Sequence, residues 1–126
     1  MIVGIGTDAV DIARVERMLA KNEQRMMERL FTVDEASFLT TKTFPAQHMA
    51  VRLAAKEAAY KALSGNDLAR GIGWREIEVF SQSDGSPRIR LHGRAAARFV
   101  ELGATTIHVS LTHSQTTAVA VVIVER

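Results

Sequence analysis

The sequence of 126 residues has no cysteine, two prolines and few aromatic residues, which make up 6% of the chain. Without cysteine, the chain cannot form a disulfide framework, a cysteine zinc site or a thiol nucleophile. Sixteen basic and fourteen acidic side chains nearly balance at a formal charge of +2, so any basic surface must be local. The longest apolar run, Ala118 to Val124, is far short of the ~20 residues that cross a bilayer.

What remains is the composition of an ordinary globular protein, with 47% hydrophobic and 24% charged residues. A chain of this length buries roughly two-thirds of its unfolded surface, and no repeat, linker or low-complexity tract divides it. We therefore expect a single domain over residues 1–126. The residues before Asp8 lack the charged start and the length of a secretory signal, so we also expect a cytoplasmic setting.

The first segment, Met1 to Thr7, is short and apolar, which predicts a buried strand with Asp8 at its tip. Because side chains alternate along a strand, Gly4, Gly6 and Asp8 share one face. Two glycines on that face predict the close approach of another backbone or of a ligand.

The rest of the chain alternates helical and extended patterns. Predicted helices cover about Asp11 to Leu30 as one broken or two consecutive helices, a short stretch from the Thr32–Glu35 capping box toward Leu39, Pro45 to about Leu63, and Gly93 to Leu102. Predicted strands form a hairpin around Ser83 to Pro87 and a final pair, Ile107 to Leu111 and Thr117 to Val124, while Asn66 to Gly73 is predicted to be a loop. This order indicates an α+β fold with a mainly antiparallel sheet packed against the long helix.

Two carboxylates are candidate metal ligands. Asp8 lies at the open end of the glycine-bearing strand, although an acid just before a helix is also a common N-cap. Helical periodicity places Glu57 among apolar neighbours, where a carboxylate is costly unless it is paired or bound to a cation. The alternative for Glu57 is an i,i+4 ion pair with Lys61. Two carboxylates without clustered His or Cys favour magnesium over zinc.

A third polar segment runs from His108 to His113. Ser110 and His113 are three residues apart on a predicted strand and face opposite sides, and no G-x-S-x-G elbow is present, so a serine hydrolase is excluded. The Gly4-Ile5-Gly6 stretch lacks the Lys-Ser/Thr ending of a P-loop. Taken alone, Ser110 and Thr112 fit a solvated strand face and His113 fits a turn.

These segments occur together in a specific order. They are Gly4 to Asp8, Arg29 to Thr32 with Glu35, Arg52 to Lys61 with its Ala-Ala-Lys-Glu-Ala centre, and Ser110 to His113. Over the whole chain, this combination resembles the holo-(acyl-carrier-protein) synthases, the small bacterial type of 4′-phosphopantetheinyl transferase. The resemblance implies an enzyme of fatty acid biosynthesis that moves phosphopantetheine from coenzyme A to a serine of apo-acyl carrier protein and releases adenosine 3′,5′-bisphosphate.

The resemblance also implies roles for individual residues. Asp8 and Glu57 would bind magnesium, and Lys61 would contact the phosphates near the reacting centre. We expect Glu57 to act as the general base, with His113 as the competing candidate. The residues expected to hold coenzyme A or to line its site are Arg52, Lys56, Ser110, Thr112 and His113.

The resemblance also implies a trimer in which coenzyme A lies in a cleft between neighbouring subunits. On the helical wheel Arg52 and Lys56 point away from Glu57, so they could serve the adjoining subunit's cleft. The unbroken apolar segment Ala118 to Val124 predicts burial on both faces, as a subunit interface would provide. The family often has Gly-Thr-Gly where this chain has Ser64-Gly65-Asn66, so the contacts of the loop from Ser64 to Gly73 stay open.

Basic residues follow one another three or four positions apart on the first predicted helix, beside Met18. They are Arg14, Arg17, Lys21 and Arg25. The usual meaning of such a stripe is a solvated helix face, whereas the resemblance favours contact with the acidic surface of a carrier protein, chiefly through Arg14.

Two other classes of protein compete with this hypothesis. A nucleic-acid-binding module would use the same basic stripe, but one Trp, one Tyr and a charge of +2 argue against it. A non-catalytic oligomeric scaffold would need no Glu57 close to Asp8, so magnesium binding would discriminate it from an enzyme. We expect neither a nucleic acid nor a membrane as a partner.

Overall fold

The computed structural model describes all residues, 1–126. The helices are α1 (Ile12–Leu30), α2 (Val33–Leu39), α3 (Pro45–Leu63), α4 (Asp67–Arg70) and α5 (Gly93–Glu101), and a 3₁₀ turn covers Trp74–Glu76. The strands are β1 (Ile2–Asp11), β2 (Ile77–Ser81), β3 (Pro87–Leu91), β4 (Thr106–His113) and β5 (Thr117–Glu125). None of the helices combines the length and the apolar character of a membrane span.

The strands form two antiparallel sheets. A three-stranded sheet has the order β1-β5-β4, so the last strand of the chain lies between the other two, and β2 pairs with β3 in a separate hairpin. The predicted α+β class with antiparallel strands packed on a long helix is therefore confirmed.

Helix α3 packs across one face of the three-stranded sheet. The prediction of a close backbone approach at the β1 glycines is confirmed, because a Cβ atom on Gly6 would lie 1.9 Å from the Ala58 carbonyl oxygen and one on Gly4 would lie 2.0 Å from that of Ala62. The alanines of α3 allow this contact, since larger side chains would hold the helix further from the sheet. The contact places the second half of α3 beside β1. Asp8 lies inside this strand, which continues to Asp11, and not at its tip as the sequence predicted.

Helix α1 is broken, as the sequence predicted. Asn22 leaves the helical conformation (φ −164°, ψ 88°), and its side chain accepts a hydrogen bond from the Arg25 amide at 3.0 Å. The second half of α1 thus has its own N-cap. Asp11 caps the first half through a 3.2 Å hydrogen bond from the Ala13 amide, so the N-cap alternative considered for Asp8 belongs to Asp11.

The segment predicted as a loop contains the short helix α4. Asn66 is the N-cap of this helix, because its side chain accepts a 2.9 Å hydrogen bond from the Ala69 amide. The glycines on either side of the segment favoured a loop in the prediction from sequence. The side-chain nitrogen of Asn66 also donates to Glu101 at 2.8 Å. The segment is thereby tied to α5.

Candidate active site

The first functional side chain, Asp8, lies on β1 facing α3. Its strand partner Ala120 is fully buried against the core, and the Asp8 side chain itself is 21% exposed. Lys61 of α3 donates to Asp8 Oδ1 at 3.1 Å and to the Thr7 carbonyl oxygen at 3.0 Å. The alternative i,i+4 pair between Lys61 and Glu57 is therefore absent, because Lys61 is engaged across the β1–α3 contact.

Glu57 lies one turn earlier on α3 and lines the same cavity as Asp8. The cavity is bordered by β1, the first half of α1, Leu53 and Trp74. Glu57 is half-buried and takes part in none of the ion pairs of the chain. The structure thus brings the two predicted carboxylates into one cleft, which we call the carboxylate cleft, and Lys61 contacts it through Asp8.

The donor set of the carboxylate cleft fits magnesium. Two carboxylates supply hard oxygen ligands, one of them without a cationic partner, and the cavity leaves room for water and phosphate oxygens. No cluster of three or more His, Cys, Asp or Glu side chains is present. Magnesium commonly takes one or two carboxylates from a protein. Asp8 and Glu57 would hold it.

Lys56 has a different environment from the one expected. Its side chain is 1% exposed and lies 2.7 Å from Glu35 Oε1, and it also donates to the carbonyl oxygens of Trp74 (2.9 Å) and Ile77 (2.5 Å). Burial lowers the pKa of Lys56, and the nearby Glu35 carboxylate acts in the opposite direction. All three ammonium protons of Lys56 are donated inside the protein, so within this chain no donor of Lys56 is free, and its contact with coenzyme A stays a prediction.

Arg52 is also buried, at 5% exposure, so helical periodicity misjudged which charged residues of α3 face outwards. Its guanidinium carbon lies 4.2 Å from the centre of the Phe38 ring, and its Nη1 donates to the His48 carbonyl oxygen at 3.3 Å. Burial lowers the pKa of Arg52, opposed by Glu35. Arg52 Nε is the one buried side-chain nitrogen or oxygen with no hydrogen-bond partner.

His113 ends β4 close to the N-terminal end of α3. Its Nδ1 lies 2.8 Å from Gln47 Nε2. Burial, followed by the charges of Lys42, Arg52 and His113, lowers the pKa of the neighbouring His48. Gln47 and Glu57 are ten residues apart, about 15 Å along the helix, so the His113 cluster and the carboxylate cleft are separate within one chain.

Ser110 and Thr112 lie on the opposite face of the sheet from Asp8. They pair with Val121 and Val119, and Val121 pairs in turn with Thr7. This outer face carries no helix, and Ser110, Thr112 and Val121 are exposed. Within one chain they do not reach the carboxylate cleft, and β5 is covered on one face only.

The basic stripe of α1 is exposed at Arg14, Arg17 and Lys21. Arg14 lines the carboxylate cleft, whereas Lys21 and Arg25 line an adjoining groove that has Met18, Leu30 and Trp74 in common with it. We call this second cavity the α1 groove.

Sequence reasoning missed the contacts of Glu35 and the position of Trp74. Glu35 was assigned to the capping box, which is present, and is one of the residues that carry the resemblance, but the binding of its carboxylate to Lys56 and the Val79 amide was not predicted. Trp74 was not among the predicted site residues. The composition did contain a signal for it, because it is the only tryptophan of the chain.

Comparison with known proteins agrees with this geometry. Residues 4–122 match the family model of the 4′-phosphopantetheinyl transferase superfamily. The chain therefore belongs to that superfamily.

Its relatives specify the type. The holo-(acyl-carrier-protein) synthase of Geobacter metallireducens is 44% identical over 126 residues, covering 100% of this chain and 99% of the relative. The solved synthase of Neisseria meningitidis has a TM-score of 0.88 at 28% identity with complete coverage of both chains. The Bacillus anthracis synthase, solved in complex with coenzyme A (3′,5′-ADP), has a TM-score of 0.79 at 32% identity and covers 99% of this chain and 97% of its own. The resemblance to the holo-(acyl-carrier-protein) synthases is confirmed.

Proposed function

We infer that the chain, as one phosphopantetheinyl transferase domain over residues 1–126, is a holo-(acyl-carrier-protein) synthase. It transfers the 4′-phosphopantetheine group of coenzyme A to a serine of apo-acyl carrier protein. The observation that carries the inference is the carboxylate cleft, which Asp8 and Glu57 line and where Lys61 is bound to Asp8, in a chain similar over its full length to synthases of that name.

The transfer is a substitution at the β-phosphorus of coenzyme A. The serine oxygen forms a new bond to this phosphorus, and the bond from the phosphorus to the oxygen bridging the two phosphates breaks. The electron pair leaves with adenosine 3′,5′-bisphosphate. Charge develops on the phosphate oxygens, so fixed cations close to them lower the barrier.

Lys61 is suited to that electrostatic role. Its side chain is half exposed and is held by Asp8 and the Thr7 carbonyl oxygen, so the ammonium is oriented before the substrate arrives. Magnesium held by Asp8 and Glu57 would supply Lewis acidity and neutralise phosphate charge.

Glu57 is our candidate for the general base, which accepts the proton of the attacking serine hydroxyl. It is half-buried in the carboxylate cleft and free of any ion pair. The competing candidate His113 is bound to Gln47, about 15 Å along α3 from Glu57. That separation supports Glu57 within one chain.

We also propose a homotrimer with active sites at the subunit interfaces. The outer face of the sheet presents Val119, Val121 and Ile123 beside Ile5, which is 64% exposed. An uncovered apolar sheet face of this kind is suited to a partner subunit. Ser110, Thr112, Arg52 and His113 would then help to form the coenzyme A site of a neighbouring copy.

The contact with the carrier protein is assigned to the exposed side of α1, with Arg14, Arg17 and Lys21 as the first candidates. A positive stripe next to a phosphate-transfer site attracts an acidic partner. The cytoplasmic setting and the role in fatty acid biosynthesis stay predictions.

The direct test incubates the purified chain with coenzyme A, magnesium and an apo-acyl carrier protein, and measures the mass of the carrier. We expect addition of one phosphopantetheine group, and loss of the product when a chelator removes magnesium. An unmodified carrier would contradict the function. Product formation that is insensitive to the chelator would contradict the magnesium assignment alone. Light scattering at micromolar concentration that gave a monomer would contradict the trimer.

A further inference from the structure

Trp74 is the only tryptophan of the chain, and its side chain borders three cavities. One contains Glu57 and Tyr60, the second is the carboxylate cleft, and the third is the α1 groove. Trp74 is 36% exposed, so its side chain lies at the surface, at the boundary of these spaces, rather than in the core. Trp74, Met18 and Leu30 are the residues that border both the α1 groove and the carboxylate cleft.

The main chain of Trp74 is held by a buried ion pair. Lys56 Nζ donates to the Trp74 carbonyl oxygen at 2.9 Å while its other two protons go to Glu35 and Ile77. Trp74 opens a 3₁₀ turn of three residues. The far end of this turn is held through Glu76, whose carboxylate accepts from the Gly73, Arg94 and Ala95 amides, whereas the hydrogen bond from Lys56 reaches Trp74 itself. Lys56 directly precedes Glu57 on α3, so the same helical turn anchors the carboxylate and the indole.

The partner of Lys56 is itself fully engaged. Glu35 Oε1 also accepts from the Thr32 amide at 3.0 Å, and Oε2 accepts from the Val79 amide at 2.9 Å. The ion pair therefore links α2, α3, the 3₁₀ turn and β2. A buried pair of this kind is weak evidence for stability, since neutral replacements are often tolerated when both charges are removed together. A positioning role explains better why the pair reaches the Trp74 carbonyl.

We propose that Lys56 is a positioning residue for the transfer reaction: through the Trp74 carbonyl it holds the indole at the boundary between the carboxylate cleft and the α1 groove. The proposal rests on the proposed function. Under this proposal Lys56 positions another residue of the protein instead of binding the substrate. Trp74 is then the residue that guides the acceptor serine toward the reacting phosphate.

The test uses the double variant Lys56→Met/Glu35→Gln, which removes both charges so that no buried carboxylate is left without a partner. Because Trp74 is the only tryptophan, fluorescence emission and acrylamide quenching report on this indole alone, without any substrate. We expect a red-shifted emission, stronger quenching, and a kcat lower by about 10- to 100-fold, with the affinity for coenzyme A measured by calorimetry unchanged.

A matched control is Val124→Ala, which removes buried methyl groups at the other end of the sheet, paired with Gly4 rather than Asp8. It should lower the melting temperature without changing the tryptophan signal or kcat. Should the double variant not fold, Trp74→Ala and Trp74→Phe decide the matter, because both keep the main-chain anchor. We expect Trp74→Ala to lose activity and Trp74→Phe to recover most of it.

A folded double variant with unchanged quenching overturns the proposal, because Lys56 would then not fix the indole. Changed quenching with unchanged kcat also overturns it, as does full activity of Trp74→Ala. A wild-type chain that never modifies the carrier refutes the proposed function, and the role in transfer with it. The quenching comparison would still show whether Lys56 holds the indole.

Discussion

Helices α1 and α3 have the same length, nineteen residues, but opposite environments. α1 buries four of its residues and breaks at Asn22, whereas α3 buries thirteen and is continuous. The charged residues of α1 face solvent, while Arg52 and Lys56 of α3 are more buried than Glu57, which directly follows Lys56. On a surface helix, charge follows the amphipathic period. On a helix that is buried over most of its surface, the available partners decide where a charge lies.

The functional consequence is a division of roles. We assign the encounter with a partner to α1, which is broken at Asn22 and carries exposed cations, and the chemistry to α3, which packs on β1 and β5 and is held by the Lys56–Glu35 pair. Preorganised groups stabilise a transition state better than flexible ones. The following changes would break or sharpen this contrast.

The largest effect is expected at the carboxylates. Asp8→Asn and Glu57→Gln should each lower kcat by about 10³-fold, because each removes one of the charges that would hold magnesium and position phosphate. Steady-state transfer to the carrier protein, with circular dichroism to confirm folding, measures the change. The control is Asp11→Asn in the same cavity, which keeps the N-cap and should retain activity. Equal losses in all three variants would refute the assignment.

The next effect concerns stability. Lys56→Met alone leaves the Glu35 carboxylate buried without its cation, which should cost about 3–5 kcal/mol of unfolding free energy. Urea denaturation measures this cost. Adding Glu35→Gln should restore a substantial part of the lost stability, and a single variant as stable as the wild type would contradict the importance of the pair for α3.

The close contact of α3 with β1 gives a third test. Gly6→Ala places a methyl group against the Ala58 carbonyl oxygen and should destabilise the fold by about 3 kcal/mol. Gly73→Ala is the matched control, since the nearest atom to its new Cβ is 3.6 Å away and its φ is not positive. Thermal melts of the two variants should differ clearly, and similar melting temperatures would argue against close packing.

The smallest effect is expected on α1. Arg14→Glu should lower kcat/KM for the carrier protein by about tenfold at low salt, with coenzyme A affinity almost unchanged, because steering acts mainly on the association rate. The variant should also respond less to added salt than the wild type. Arg88→Glu in the hairpin makes the same change in net charge and should have little effect. If Arg14→Glu behaves like Arg88→Glu, the stripe is only a solvated face.

The sequence predicted the order of the main elements well, because capping residues, turns and strand alternation are local signals. The Thr32 capping box, the break within α1 and the β1 glycines are examples. The sequence placed Asp8 at the tip of the first strand, whereas β1 continues to Asp11. It failed to predict which charged side chains of α3 are buried. The many small residues of α3 allow burial around most of the helix, so its sequence lacks a periodic contrast between apolar and polar positions. The prediction from sequence also missed the helix capped by Asn66. The ion pair of Glu35 with Lys56 was missed because a partner 21 residues away leaves no local pattern in the sequence.

The glycines of β1 have a consequence for how this sequence can vary. The obstacle that a side chain at Gly4 or Gly6 would meet is a carbonyl oxygen, which every amino acid carries, so no replacement of Ala58 or Ala62 can compensate. A second-site suppressor would have to displace α3 as a whole. Such a displacement would carry Glu57 and Lys61 away from Asp8, and a selection for restored folding would recover proteins that fold but no longer react.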